Sequence, residues 1–307
     1  MSELPVTPLE LDGWLEYNAW RTGLRPRRFG ASDGGSEIRA VFYVGRGGRL
    51  WLPANNPYLP LVFRSAKSRP NGRTSDWLAA VGPLVEEMRR RGVANGLMFP
   101  PNVEDVRPWR WAGFLVGVKY TYCLDFPIDP GCVDKRHLRS VETAAGRGLS
   151  VDRSDDLDAV VGCLGETEER QHFSYRLGSR ELVELRSRLG DDAFRAYVCR
   201  DAAGRAASTC VVIHVPGSRA IGWVAGARRE SLADGAGHAV WRFAFDDLTT
   251  AGATGIDLCG ANIRSVAEFK ARWGARLEPT YTVRTYSLRA AARFSVDWLT
   301  PHRAGMP

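Results

Sequence analysis

Lysine is scarce in this chain. Only Lys67, Lys119, Lys135 and Lys270 are lysines among 42 cationic residues, the other 38 being arginines. Arginine serves as well wherever bare charge is needed, so each lysine is a place to look for the chemistry of an ammonium group. The six cysteines (Cys123, Cys132, Cys163, Cys199, Cys210, Cys259) form no C-x-x-C pair, and the five histidines show no H-x-x-x-H spacing. No zinc site is therefore signalled, no metal is expected, and reduced, mostly buried thiols are the simplest reading. No run approaches the ~20 consecutive apolar residues of a membrane-spanning helix. The opening MSELPVTPLELDGW has neither a basic n-region nor an apolar h-region, which leads us to expect a cytoplasmic protein. Low-complexity tracts and short-period repeats are absent.

What is present is an ordinary folding composition. With 44% hydrophobic and 25% charged residues, the chain is neither disordered nor collagenous. Its 307 residues exceed the ~250–300 at which single cores give way to two domains. Cations exceed acids by 42 − 35 = 7, an average attraction for phosphates, nucleic acid or anionic lipid.

The periodicity predicts a helix around Leu9 to Trp20, strands near Ile38 to Val44 and Arg49 to Leu52, and a Pro-, Asn-, Gly- and Arg-rich loop from Pro53 to Thr74. A helix from Asp76 to Arg91 follows, with Leu78, Val81, Leu84, Val85 and Met88 on one face and Gly92 as its stop. Strands are expected at Gly96 to Phe99 and Tyr120 to Phe126, and Trp109 and Trp111 alternate as on a strand. Asp134 is placed to cap a basic helix running to Gly146 or Gly148. Helices at Asp155 to Leu164 and Ser179 to Leu189 precede three strand-like runs, Ala193 to Arg200, Ala207 to Val215 and Arg219 to Ala227. A helix from His238 to Thr250, a short strand Gly255 to Cys259, and a helix Ile263 to Trp273 complete an α+β pattern.

The stretch DLCGANIRSVAEFKARWG, Asp257 to Gly274, carries the most chemistry. Val266, Phe269 and Trp273 form the apolar stripe of its helix, and Lys270 lies four residues after Val266, beside Phe269. In one reading its stem packs while the ammonium reaches solvent. In the other the cation faces a cleft, where it binds an anion or stabilises an oxyanion during acyl transfer. In the turn Asp234-Gly235-Ala236-Gly237-His238, Gly235, Gly237 and His238 could offer backbone donors to an acyl-CoA pyrophosphate. Arg229 stands six residues before Gly235, though, and the spacing of an Arg-x-x-Gly-x-Gly loop is not met. Arg64, Lys67, Arg69 and Arg73 share a loop long enough to be functional and suited to a phosphate-bearing substrate. Cys259 reads as a buried thiol rather than a nucleophile, and nothing in the sequence brings His172 to Asp257 as a base and its orienter.

The Asp257–Gly274 stretch resembles the Fem family of aminoacyl-tRNA-dependent transferases, GNAT-superfamily peptidyltransferases of the FemX type. The likeness rests on Phe269, Lys270, Trp273 and Gly274 and on the upstream segment Thr167-Glu168-Glu169-Arg170-Gln171-His172-Phe173-Ser174-Tyr175-Arg176. The basic run Lys135-Arg136-His137-Leu138-Arg139 is also similar to the arginine-rich helix that opens the family's second half. The resemblance covers about Asp125 to Tyr281. It implies two tandem GNAT-like domains, each a mostly antiparallel sheet flanked by helices. These would be residues 1–133, a basic linker helix 134–150, and residues 151–307, with the last ~20 residues packing back on the first domain. It further implies transfer of an aminoacyl group from tRNA to the amine of a peptide or nucleotide-linked peptide acceptor, free or carrier-bound, as in peptide antibiotic or cell-wall precursor synthesis. No cofactor is needed beyond the charged tRNA. By the resemblance Lys270 sits by the reacting carbonyl, Phe269 is its neighbour at the substrate, and Arg176 matches an arginine that contacts acceptor phosphate. The family's tyrosine-rich motif after that arginine is replaced by Ser179-Arg180-Glu181-Leu182. The alternative on the same fold is an acyl-CoA- or acyl-carrier-dependent N-acyltransferase.

Overall fold

In the computed structural model, which describes residues 4–286, the chain divides into two units: one built from residues 4–5, 18–120 and 278–286, the other from residues 6–17 and 121–277. Helix α1 (Asp12–Thr22) runs across the boundary. The first unit continues with β1 (Arg25–Asp33), β2 (Ser36–Val44), β3 (Leu50–Trp51), β4 (Leu61–Arg64), α2 (Pro70–Arg91), β5 (Leu97–Phe99), α3 (Arg107–Trp111) and β6 (Phe114–Asp125), whose last residues belong to the second unit. There β2 pairs antiparallel with β1, β3 and β4. Helix α2 buries Trp77, Ala80, Val81, Leu84, Val85 and Met88, and these join Ile38, Ala40 and Phe42 of β2 in one core. That helical spacing is what the sequence predicts. Its end is set by Gly92, whose φ of 71° suits a residue without Cβ and whose N–H reaches the Met88 carbonyl at 2.9 Å.

The second unit adds α4 (Lys135–Gly146), β7 (Ser150–Arg153), α5 (Leu157–Gln171), α6 (Ser179–Ala193), β8 (Phe194–Arg200), β9 (Ala206–Ile213), β10 (Arg219–Ala227), α7 (Ala236–Thr250), β11 (Gly255–Asp257) and α8 (Arg264–Ala271). Strand β12 (Arg276–Thr285) returns the chain to the first unit, where it pairs with β5. Strands β7 to β10 form an antiparallel meander. Strand β11 lies parallel to β10 and antiparallel to the end of β6. All of β9 is buried, consistent with the unbroken run Ala-Ala-Ser-Thr-Cys-Val-Val-Ile. Helix α7 packs on β8 and β9 through Val240, Trp241, Ala244, Phe245 and Leu248, and Trp273 completes that core.

The architecture is the expected α+β one, with corrections in detail. Trp109 and Trp111 lie on the short helix α3 after Pro108, Trp109 fully buried and Trp111 exposed. The stretch read as one long loop holds β4 and the first turn of α2, because Pro70 opens that helix six residues before Asp76. Residues 123–125 belong with the second unit because they pair with β11, so the division falls before 133. The tail expected to pack back on the first domain lies outside the described residues. Among the described residues no helix is long and apolar enough to cross a membrane.

The junction of α4 with α7 rests on one glycine. Gly235 has φ +79°, and a Cβ there would collide with the Ser140 carbonyl of α4. Gly235→Ala therefore combines left-handed strain with a backbone clash. It is expected to lower stability by about 2 kcal/mol or more, read as a lower urea midpoint.

Candidate active site

Parallel pairing of β10 with β11 lasts three residues, Arg219 to Ile221 against Gly255 to Asp257. A bulge at Gly222–Val224 follows, and the strands part. Beyond β11 the backbone turns through two left-handed residues, Cys259 (φ 48°) and Gly260 (φ 67°). The buried Asp257 carboxylate braces this turn, accepting hydrogen bonds from the Thr121 hydroxyl and, at 2.8 Å, from the Cys259 N–H. Left-handed backbone aims the carbonyls of Cys259 and Gly260 at Lys270, whose ammonium donates to both, the second at 2.7 Å.

Lys270 is half-buried, and its ammonium has three donors of which these carbonyls take two. Burial pulls its pKa down to about 8, opposed by the nearby Cys259 and Asp257. The ammonium thus stands just past the carboxyl end of β11, where β10 and β11 part. Burial raises the Cys259 thiol well above its ordinary range, with Asp257 adding to the effect, so it is a poor nucleophile.

Phe269 and Lys270 diverge. The Phe269 ring packs with the rings of His137 and His238, each 5.0 Å away, and with Trp273. Its carbonyl meets His137 Nε2 at 2.9 Å. The ring is a wall of the core, and this packing holds the turn of α8 that carries Lys270.

The other residues singled out in the sequence fall in several places. Arg176 is exposed, with φ +51°, in the loop between α5 and α6. Arg64 pairs with Glu37 directly across β2 and β4 at 3.0 Å. Lys67 binds Asp76 at 2.7 Å, and the same carboxylate accepts from Ser36 and Ser65. Lys67, Ser36 and Ser65 together hold the Asp76 carboxyl well below its usual range. Those two cations are tied into the first unit, whereas Arg69 and Arg73 are exposed at the start of α2. Gly235 caps α7 against Ser140, and no side-chain atom would crowd a Cβ on Gly237. The His238 ring turns inward, 4.4 Å from His137, and burial draws its pKa down to about 4.

Three side chains that the sequence reading left without a role sit where β10 has lost its partner. The Arg228 N–H bonds to Ala207 of β9, so by strand alternation the N–H groups of Ala225 and Ala227 face the open edge. Thr167 Oγ1 accepts the Ala227 N–H at 2.9 Å, and Arg170 donates to the Ala227 carbonyl at 3.0 Å. The Tyr175 hydroxyl accepts from the backbone of Ala225 close to Cys259, and burial raises its pKa to about 12. No spacing in the sequence signals this, because each cap lies about 50 to 60 residues from the strand it satisfies. Two surface concavities do not include Lys270 in their lining. One of about 650 Å³ is lined by Asp155, Asp158, Val183, Arg186 and Asp191 among others. The other, about 550 Å³, lies between the start of α4 and the end of α8.

No protein-family model and no curated protein matches the sequence. Solved structures do. The α+β fold of this chain is shared with them. FemX superposes with a TM-score of 0.64 at 14% identity, over 98% of this chain and all of its own. The C-terminal domain of a putative lysylphosphatidylglycerol synthetase from Agrobacterium fabrum gives 0.55 at 13% identity, over 90% and 89%. L-PGS from Bacillus licheniformis gives 0.51 at 14% identity, over 96% and 97%.

Proposed function

We propose that the protein is an aminoacyl-tRNA-dependent aminoacyltransferase that forms an amide bond between a tRNA-borne amino acid and the amine of a peptide-like acceptor. The observation that carries this reading is the half-buried ammonium of Lys270, with one donor that no described residue engages, on the fold of FemX. The Fem-family resemblance around Lys270 supplies the donor class. Charged tRNA is found in the cytoplasm, where the reading places the protein.

The chemistry asks little of the enzyme. The ester on tRNA is already activated, so a neutral amine held against its carbonyl attacks without a covalent enzyme intermediate. A C–N bond forms as the carbonyl oxygen gains negative charge, and the third N–H of Lys270 is the donor for that oxygen. Collapse breaks the C–O bond to the terminal ribose, and the proton lost by the attacking amine leaves on the ribose hydroxyl. Asp257, through the Cys259 N–H, holds the turn whose carbonyls fix the ammonium.

The second reading, transfer from an acyl-CoA or acyl carrier, requires open backbone edge on β10 for a pantetheine arm and free donors at the start of α7. Against it stand the caps that Thr167, Arg170 and Tyr175 place on that edge and the packing of Gly235 on Ser140. Given a mixture of radiolabelled aminoacyl-tRNAs and candidate amines, the protein is expected to move label from RNA to the amine, and prior RNase treatment to abolish the product. Product formed from acetyl-CoA after RNase treatment would decide for the second reading.

A further inference from the structure

Three cations lie along the exposed face at the start of α4, and two of them stand where a helix least favours them. The first turn of α4 holds Lys135 and Arg136 and no acidic residue, although the positive end of the helix dipole repels cations there by ~0.3–1 kcal/mol each. Arg139 follows Lys135 one turn on, about 6 Å along the axis. All three are exposed. Asp134, the nearest acid in sequence to Lys135 and Arg136, is occupied with the Arg136 N–H at 2.8 Å and lies 3.9 Å from Arg272, and Glu142, three residues after Arg139, makes no described ion pair with it. Across the described salt bridges none of the three cations has a carboxylate partner, whereas most arginines around them do.

The patch is joined to the candidate site by backbone. The Asp134 N–H bonds to the Arg272 carbonyl at 2.8 Å, and His137, one turn along α4, holds the Phe269 carbonyl next to Lys270. Between the two helices lies the concavity of about 550 Å³ lined by Cys132, Asp134, Lys135 and Arg272. From these contacts we infer that the exposed face of α4, with Arg272 at its margin, is a docking surface for the phosphate backbone of RNA, guiding a charged 3′ end toward Lys270. The inference rests on the proposed function and adds where the nucleic acid lies. An anionic membrane is the competing partner. The apolar side of α4 is spent on the core through His137, Leu138, Val141 and Ala144, and none of the exposed large hydrophobic residues lies on α4 or α8. A helix that beds into a bilayer surface needs such residues beside its cations.

The test compares the full-length protein with the triple variant Lys135→Ala, Arg136→Ala, Arg139→Ala, after equal melting temperatures show that both are folded. Binding of bulk tRNA is measured across a salt series, and transfer is measured from intact charged tRNA and from an aminoacylated CCA trinucleotide, which lacks the phosphates of the acceptor stem. Expected for the variant are a salt slope shallower by about 2 to 3 and a loss of about tenfold or more in kcat/KM with intact tRNA, with transfer from the trinucleotide within about twofold of the parent. Unchanged tRNA affinity and salt slope, in a protein that does transfer from charged tRNA, would overturn the docking surface alone. A parent protein that transfers from neither RNA donor would overturn the proposed function as well. Binding of the parent to phosphatidylglycerol vesicles that tRNA does not compete away, lost in the variant, would reassign the face to a membrane.

Discussion

Lys270→Ala is expected to lower kcat for amide formation by about 10²- to 10³-fold, the range lost when one oxyanion donor is removed, with KM for the charged tRNA changed far less. Lys270→Arg is expected not to restore the rate. The ammonium is a compact donor seated between the carbonyls of Cys259 and Gly260, and a planar guanidinium does not present its N–H groups from that point. The pH dependence follows from the pKa of about 8. The charged form predominates roughly ten to one at pH 7, so with an acceptor amine of low pKa, neutral throughout the range, the wild-type rate should fall as pH rises through about 8. A rate that stays flat from pH 7 to 9.5, or a Lys270→Ala variant at parental speed, would remove the ammonium from the chemistry. The same shift acts on stability. Between about 8 and 10.5 the unfolded chain holds a proton that the native lysine has lost, so the contribution of this group to stability rises with pH across that window.

Trp273→Ala should produce the largest loss of stability. The ring is fully buried and touches His137, Phe245 and Phe269, so its removal leaves a cavity between α4, α7 and α8 and costs about 3–5 kcal/mol. For a unit of this size that corresponds to a fall in melting temperature of roughly 6–20 °C, checked by thermal unfolding. Trp273→Phe should cost about half as much, because the buried indole N–H has no hydrogen-bond partner among the described residues to lose. Similar midpoints for parent and Trp273→Ala would contradict this account of the core. The substitution also bears on the site, since the cavity lies under the turn that carries Lys270.

Where the sequence was readable, burial and pattern coincided. Helix α2 shows its apolar face at regular spacing, and α4 shows a capping Asp134 whose side chain accepts the Arg136 N–H. Strand β10 runs over the very residues, Arg219 to Ala227, that the apolar pattern marks. Where it was not, the local signal was missing or misleading. Strand β1, Arg-Pro-Arg-Arg-Phe-Gly-Ala-Ser-Asp, has no apolar alternation because it lies at an edge and exposes residues on both faces. The alternation of Trp109 and Trp111 belongs to a single helical turn, in which only the first ring reaches the core. Arg64 and Lys67 looked like free loop cations, but their acidic partners Glu37 and Asp76 come from β2 and α2. Ion pairing between elements leaves no trace in local spacing.

The sequence by itself determined the order of the elements, the mixed α+β class, and which lysine to examine, because periodicity, caps and the scarcity of a residue type are properties of neighbours along the chain. Only the tertiary structure decided that the Lys270 ammonium turns onto two carbonyls past β11 while Phe269 goes to the core, and that α5 and the loop after it close the open edge of β10. Those outcomes depend on burial and hydrogen bonding between segments far apart in the chain. The free energy of a buried polar group is fixed by the partner it meets, and the fold chooses that partner.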